Sequence, residues 1–208
     1  MCEECREKIE YIHQPRCMKC GKPIRNEEEE FCPDCRKRKF SYEQGRSLWL
    51  HREPVSRAVY DFKFHNKRIY GDIFAKECVR VYSGTLKKWQ IKEIIPVPLH
   101  PAKRRRRGYN QAELLADGIG RRMGIPVNAE CIYRIKKTIP QKKFDGRARR
   151  KNIASAFAID AEWEPAGNVL IVDDIYTTGS TVEEITKLLK KRGAQKVYFL
   201  TISIGQGL

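Results

Sequence analysis

The sequence predicts an α/β protein, a parallel sheet wrapped by helices, with a small zinc ribbon ahead of it. Three observations predict this. Beyond about residue 45, apolar runs of strand length alternate with runs of helical periodicity, the pattern that builds parallel sheets. Six of the eight cysteines lie within the first 35 residues as three C-x-x-C pairs. The most apolar run, "NVLIV", leads straight into two adjacent carboxylates and then "IYTTGST".

The N-terminal pairs are Cys2/Cys5, Cys17/Cys20 and Cys32/Cys35. A C-x-x-C turn aims two thiolates at one point, and two such turns complete a tetrahedral zinc site. Disulfides are the competing reading, which a reducing compartment disfavours. In "CMKCG…CPDC" a glycine follows one pair and a proline lies inside the other, so Cys17, Cys20, Cys32 and Cys35 are the expected ligands of a structural zinc. Four thiolates leave no open coordination position for catalysis. Cys2 and Cys5 are then left over, and Cys78 and Cys131 stand alone as small buried residues. The domain boundary falls near Phe40 to Gly45, giving a ribbon over 1–42 and an α/β domain over 43–208.

Within the second domain "SLWLHRE" reads as a strand, and Pro54 opens the helical stretch "PVSRAVYDFKF". "EIIPVPL" is a buried strand. "NQAELLADGIGRRMG" is a helix with Leu114, Leu115, Ile119 and Met123 inward and Gly124 at its stop. "AFAI" is a short strand. "NVLIV" is a strand covered on both faces, and Thr181 begins a helix with Val182, Ile185, Leu188 and Leu189 at helical spacing, stopped by Gly193. "KVYFLTISI" closes the domain as a strand.

Ligands of open α/β sheets bind beyond the carboxyl ends of the strands. Asp173 and Asp174 stand at such an end, and Thr177, Thr178, Gly179, Ser180 and Thr181 turn the chain into a helix. Backbone N–H groups there cradle an anion, the hydroxyls add donors, and glycine permits close approach. The carboxylates would repel a bare anion, so the ligand should carry hydroxyls beside its phosphate, as a ribose 5-phosphate does. An N-capping loop with an incidental acidic pair is the blander alternative.

The net charge is +16, and between Pro101 and Lys151 there are 16 Lys+Arg against 4 Asp+Glu. Concentration in one quarter of the chain points to a polyanion ligand rather than to a solubility device. Arg104, Arg105, Arg106, Lys142, Lys143, Arg147, Arg150 and Lys151 are the expected nucleic-acid contacts, with Tyr109, Tyr133 and Phe144 available for stacking on single-stranded DNA. No apolar run approaches the eighteen or so residues of a membrane span, and "MCEECREK" lacks a signal-peptide core. A cytoplasmic protein without membrane insertion is expected.

"VLIVDDIYTTGST" resembles the binding motif for 5-phosphoribosyl 1-diphosphate (PRPP) of type I phosphoribosyltransferases. "PVPLHPAKRRRRGYNQAELLA" and "TIPQKKFDGRARRKNIASAFAI" are similar to the other two blocks of the ComF family of competence-associated proteins. That family joins an N-terminal zinc ribbon to a phosphoribosyltransferase domain, so the likeness covers nearly the whole chain. The resemblance implies a type I phosphoribosyltransferase fold and a PRPP site. In that site Asp173 and Asp174 would take the ribose hydroxyls and Thr177 to Thr181 the 5-phosphate. His100, Gly108, Asn110 and Gln111 would lie toward the diphosphate and its Mg²⁺, and Gln141 and Asn152 on a lid. Lys63, Arg107 and Arg149 would be the catalytic cations. Ala148 stands where the family commonly has an acid. The resemblance implies a role in DNA uptake for transformation, handling single-stranded DNA beside a helicase-like competence partner. The alternative is an enzyme of nucleotide metabolism that releases pyrophosphate from PRPP. No base pocket is visible in the sequence, so the acceptor is open. An amidophosphoribosyltransferase of purine synthesis is the weakest reading, since the chain has no glutaminase domain.

Overall fold

The computed structural model describes residues 7–135 and 156–205. After a short helix α1 (Pro33–Lys37), strand β1 (Gly45–Leu50) enters the sheet and helices α2 (Val55–Phe64) and α3 (Ile69–Lys88) follow. Strand β2 (Ile91–Pro96) leads into the short α4 (Pro101–Arg107) and α5 (Gln111–Met123). Two brief strands, β3 (Ile132–Arg134) and β4 (Phe157–Ile159), precede β5 (Asn168–Tyr176), α6 (Ser180–Lys191) and β6 (Val197–Ile204).

The four long strands form one parallel sheet in the order β1-β6-β5-β2. Every residue of β6 is buried, as expected of a parallel sheet covered on both faces. On one face α2, α3 and α5 close a core through Val59, Phe62, Phe74, Leu115 and Ile119 against Ile94, Leu170 and Leu200. On the other face α6 brings Val182, Ile185 and Leu189 against Ile171, Val197 and Phe199. Cys17, Cys20 and Cys32 belong to that second cluster, together with Phe40, Tyr42 and Tyr176.

Four details depart from the sequence-based expectations. "AFAI" pairs antiparallel with β3 as a separate two-stranded ribbon, not within the main sheet. The basic stretch after β2 is a helix, α4, because Pro101 fits its first turn and Gly108 (φ 80°) ends it. Helix α3 had no counterpart in the expected elements. Strand β5 runs on through both aspartates, with Asp173 opposite Thr201 of β6. On its other edge β2 ends at Pro96, opposite Val172. The carboxylates therefore stand where β5 outruns one neighbour, which opens a notch at the carboxyl end of the sheet.

Candidate functional site

The notch gathers groups from four elements. From α2, Lys63 sets its Nζ 2.9 Å from Asp174 Oδ1, with both side chains mostly covered. Asp173 Oδ1 accepts the Asp174 backbone N–H at 2.8 Å. Burial and the neighbouring Asp174 charge push the Asp173 carboxyl up to about 7, while Lys63 and Arg134 pull the other way. Arg107, on α4, is pulled down by burial and held up by Asp174. Sequence reasoning missed two residues here. His51, just past β1, hydrogen-bonds Ser203 Oγ at 2.9 Å and feels both Lys63 and Asp174. Arg134, on β3, faces Asp173. The position of His51 directly after a strand was the available signal, whereas nothing local marked Arg134.

The loop from Thr177 to Thr181 lies beside the carboxylates and lines a cavity of about 60 Å³ with Asp173, Ile175 and Tyr176. Thr178 and Ser180 hydroxyls are 2.9 Å apart. No side chain caps the N-terminus of α6, so its first N–H groups stay available to an anion. Gly179 has φ 73°, and a Cβ there would stand 2.4 Å from the Tyr176 hydroxyl and 3.1 Å from Phe40. Only glycine fits that turn.

The remaining expected site residues sort by what they touch. His100 caps α4, its Nδ1 accepting from the Ala102 N–H. Asn110 caps α5 through Ala112 N–H and donates to the Val97 carbonyl at 3.0 Å. Gln111 donates to the Phe62 carbonyl and accepts from Arg107. Both amides are buried and engaged within the chain: Asn110 ties the start of α5 to the segment just past β2, and Gln111 ties it to α2 and to Arg107. Gly108 is the left-handed turn between those helices. Tyr109 corrects the stacking expectation: it is buried, and its hydroxyl donates to the Phe62 carbonyl. Tyr133 is exposed on β3. Arg104 is paired with Glu113 at 2.6 Å, whereas Arg105 and Arg106 line an open cleft with Lys63 and Arg107. Gln141, Lys142, Lys143, Phe144, Arg147, Ala148, Arg149, Arg150, Lys151, Asn152, Cys2 and Cys5 lie outside the described residues.

The sulfurs of Cys17, Cys20, Cys32 and Cys35 all lie within 4.8 Å of one another. Four thiolates about 2.3 Å from a central Zn²⁺ stand about 3.8 Å apart, and Cys20 Sγ is 3.7 Å from Cys32 Sγ. The donor set and spacing fit a structural zinc. Gly21 (φ 75°) tightens the first knuckle, where a Cβ would meet the Gly45 carbonyl at 2.7 Å.

This cysteine unit leans directly on the Thr177 to Thr181 loop and the helix it opens. Arg38 Nη1 donates to the Thr178 carbonyl at 3.0 Å. Ser41 donates through N–H and hydroxyl to the two Glu183 carboxylate oxygens at 2.7 and 2.8 Å. Tyr42 and Tyr176 hydroxyls meet at 2.8 Å.

Comparison with known proteins agrees with both halves of the chain. Residues 1–36 match the double zinc ribbon domain family, and residues 122–203 match the phosphoribosyl transferase domain family. Competence protein F of Haemophilus influenzae is 33% identical, covering 95% of this chain and 87% of its own. The DNA utilization protein YhgH of Salmonella typhimurium is 28% identical over 95% of this chain and 93% of its own. Competence protein ComFC of Streptococcus pneumoniae is 28% identical over 87% and 84%. Among solved structures, an adenine phosphoribosyltransferase superposes over 62% of this chain and 69% of its own, at 20% identity and a TM-score of 0.40, too low to add to the case. The length over which the Haemophilus relative aligns, together with the ribbon and the phosphoribosyl transferase domain in that order, makes this chain a member of the ComF family.

Proposed function

We propose that this protein binds PRPP in the notch at the carboxyl end of the sheet and acts in the use of incoming single-stranded DNA. The observation that supports the PRPP reading is the carboxylate pair on β5 lying next to the uncapped N-terminus of α6. Asp173 and Asp174 accept from the two ribose hydroxyls, and the Thr177 to Thr181 loop donates to the 5-phosphate. Lys63, which pairs with Asp174, swings toward the diphosphate when the ribose takes its place. Arg107 stands beside it, with Asn110 and Gln111 fixing the helices that carry it. The carboxylate and hydroxyl oxygens are hard donors, the class that Mg²⁺ takes. Mg²⁺ supplies neutralisation of the diphosphate charge when bound. The DNA reading rests on the named roles of the relatives and on the cations between Pro101 and Lys151.

Transferase turnover is the second reading, favoured by the match to the phosphoribosyl transferase domain. In that case an acceptor nucleophile bonds to ribose C1 as the bond from C1 to pyrophosphate breaks, and the cations around the notch stabilise the departing charge. Positioning and electrostatics would do the work, with no covalent nucleophile required.

Calorimetry with PRPP and Mg²⁺ tests the site. Binding should be Mg²⁺-dependent, and Asp174→Ala should lose about 2 kcal/mol or more, because charge-assisted bonds disappear. Equal affinity in wild type and variant would sink the assignment. Release of pyrophosphate in the presence of a panel of acceptors separates turnover from binding alone.

A further inference from the structure

Helix α2 ends in an aromatic cluster that the folded core does not use. Tyr60 and Phe64 keep 46% and 50% of their surfaces exposed, and their rings lie 4.9 Å apart. A guanidinium covers one side of each: Arg57 over Tyr60 at 6.0 Å and Arg107 over Phe64 at 5.1 Å. Single exposed aromatics are ordinary on protein surfaces. These two adjoin a cleft of about 500 Å³ lined by Phe64 itself, Lys63, Asn66, Arg68 and the Arg105–Gly108 turn, with no carboxylate in its wall. Arg68 is held in place from two sides: its Nε donates to Asn66 Oδ1 at 3.0 Å and its guanidinium lies 4.8 Å from the Tyr109 ring centre. The nearest acid on α2, Asp61, is engaged by His65 at 2.7 Å and by Arg57 at 3.3 Å. Among the described residues no carboxylate pairs with Arg68, Arg105 or Arg106.

We infer that the end of α2 and this cleft form a single-strand nucleic-acid site in which Tyr60 and Phe64 stack on bases while Arg68, Arg105 and Arg106 hold the adjoining phosphates. Open π-faces next to unpaired cations form the combination that binds single strands without regard to sequence. Arginine contributes both charge and stacking to it. The inference rests on the DNA reading above and adds its location, since Tyr109 is in the core and neither Tyr60, Phe64 nor Arg68 belongs to the PRPP notch. The cleft meets that notch at Lys63, so a strand in it would end beside the sugar-phosphate site.

The test is binding of a fluorescent oligothymidylate across a salt series, with PRPP calorimetry on the same proteins. Wild type should bind with a slope of roughly −3 to −4 against log salt, for about 4–6 phosphate contacts. Tyr60→Leu with Phe64→Leu should lower affinity about tenfold or more at unchanged slope, since it removes stacking and no charge. Arg68→Gln with Arg106→Gln should make the slope shallower by about 1.4. Both double variants should bind PRPP as wild type does. A wild type that ignores the oligonucleotide overturns the DNA reading itself. Strong wild-type binding that neither double variant changes overturns only this site. Loss of PRPP binding in the aromatic variant would assign the cleft to the diphosphate and also overturn it.

Discussion

At the scale of single residues, Asp173 gives the sharpest expectation. Its carboxyl titrates near 7 in the folded chain against 3.8 for a free aspartate, because burial and Asp174 disfavour its charge. Between about pH 4 and 7 the folded form holds a proton that the unfolded form has released, so this residue makes stability fall as pH rises through that window, with no further change above it. Asp173→Asn should flatten that part of the pH–stability profile, as denaturant titrations at pH 5 and pH 8 would reveal. A profile parallel to wild type would show that the carboxyl titrates normally. The aspartates themselves were legible because a carboxylate pair at the end of an apolar strand has no folding purpose. Tyr109 was misread for a nearby reason. An aromatic following four arginines looks exposed, yet the left-handed turn at Gly108 swings it inward onto Phe62, and sequence carries no sign of that rotation. Asn110 and Gln111 match a family motif, and a motif match does not say whether an amide touches the ligand or the backbone.

Among the elements, α3 is the longest that sequence reading passed over. Phe74, Cys78, Tyr82 and Leu86 recur every four residues on its buried side, but Glu77 lies among them and obscures the apolar stripe. Glu77 is buried because Tyr11 donates to it at 2.9 Å and Arg80 at 2.9 Å, partners 66 and 3 residues away. Helix α3 packs on α5 at a pinch, where a Cβ on Gly118 would stand 2.5 Å from Ala75 Cβ. In an isolated helix Gly→Ala gains about 1 kcal/mol. Here the two helices must separate, at a cost of about 1–3 kcal/mol. Gly118→Ala should therefore lower the melting temperature, and adding Ala75→Gly should restore much of it. A melting temperature raised by Gly118→Ala alone would mean the helices are not in close contact there.

For the molecule as a whole, hydrogen bonds tie the cysteine unit to the Thr177 to Thr181 loop and the start of α6. The ribbon was readable from cysteine spacing, and the parallel sheet from the alternation of strand-length apolar runs with helical periodicity. Their contact was not, because Arg38, Ser41 and Tyr42 look like linker residues until Thr178, Glu183 and Tyr176 are brought to them across more than 130 positions. Stripping zinc, or replacing Cys17 by Ser, should unfold the ribbon and weaken PRPP binding about tenfold or more. Because linkage is reciprocal, PRPP should in turn raise the zinc affinity by the same factor, read as a higher chelator concentration needed to strip half the metal at equilibrium. Arg38→Gln should keep the zinc yet lose part of that coupling. PRPP affinity unchanged in zinc-free protein would show that the loop stands without the ribbon.

The strand order carries a consequence for synthesis. Among the described residues β1 is the first strand of the sheet and sits at its edge, yet its strand partner there is β6, the last of them, with Ser47 and Thr201 joined across 154 positions. The cysteines can therefore capture a metal while the ribosome is still far from the sheet they will rest on. A nascent chain halted before Val197 would hold β1 apart from β5 and leave both with open hydrogen-bonding edges, the kind that invites pairing between chains. Contacts this distant close slowly. Until Val197–Ile204 emerge, β1 and β5 lack the strand that joins them, and the half-built sheet stays exposed.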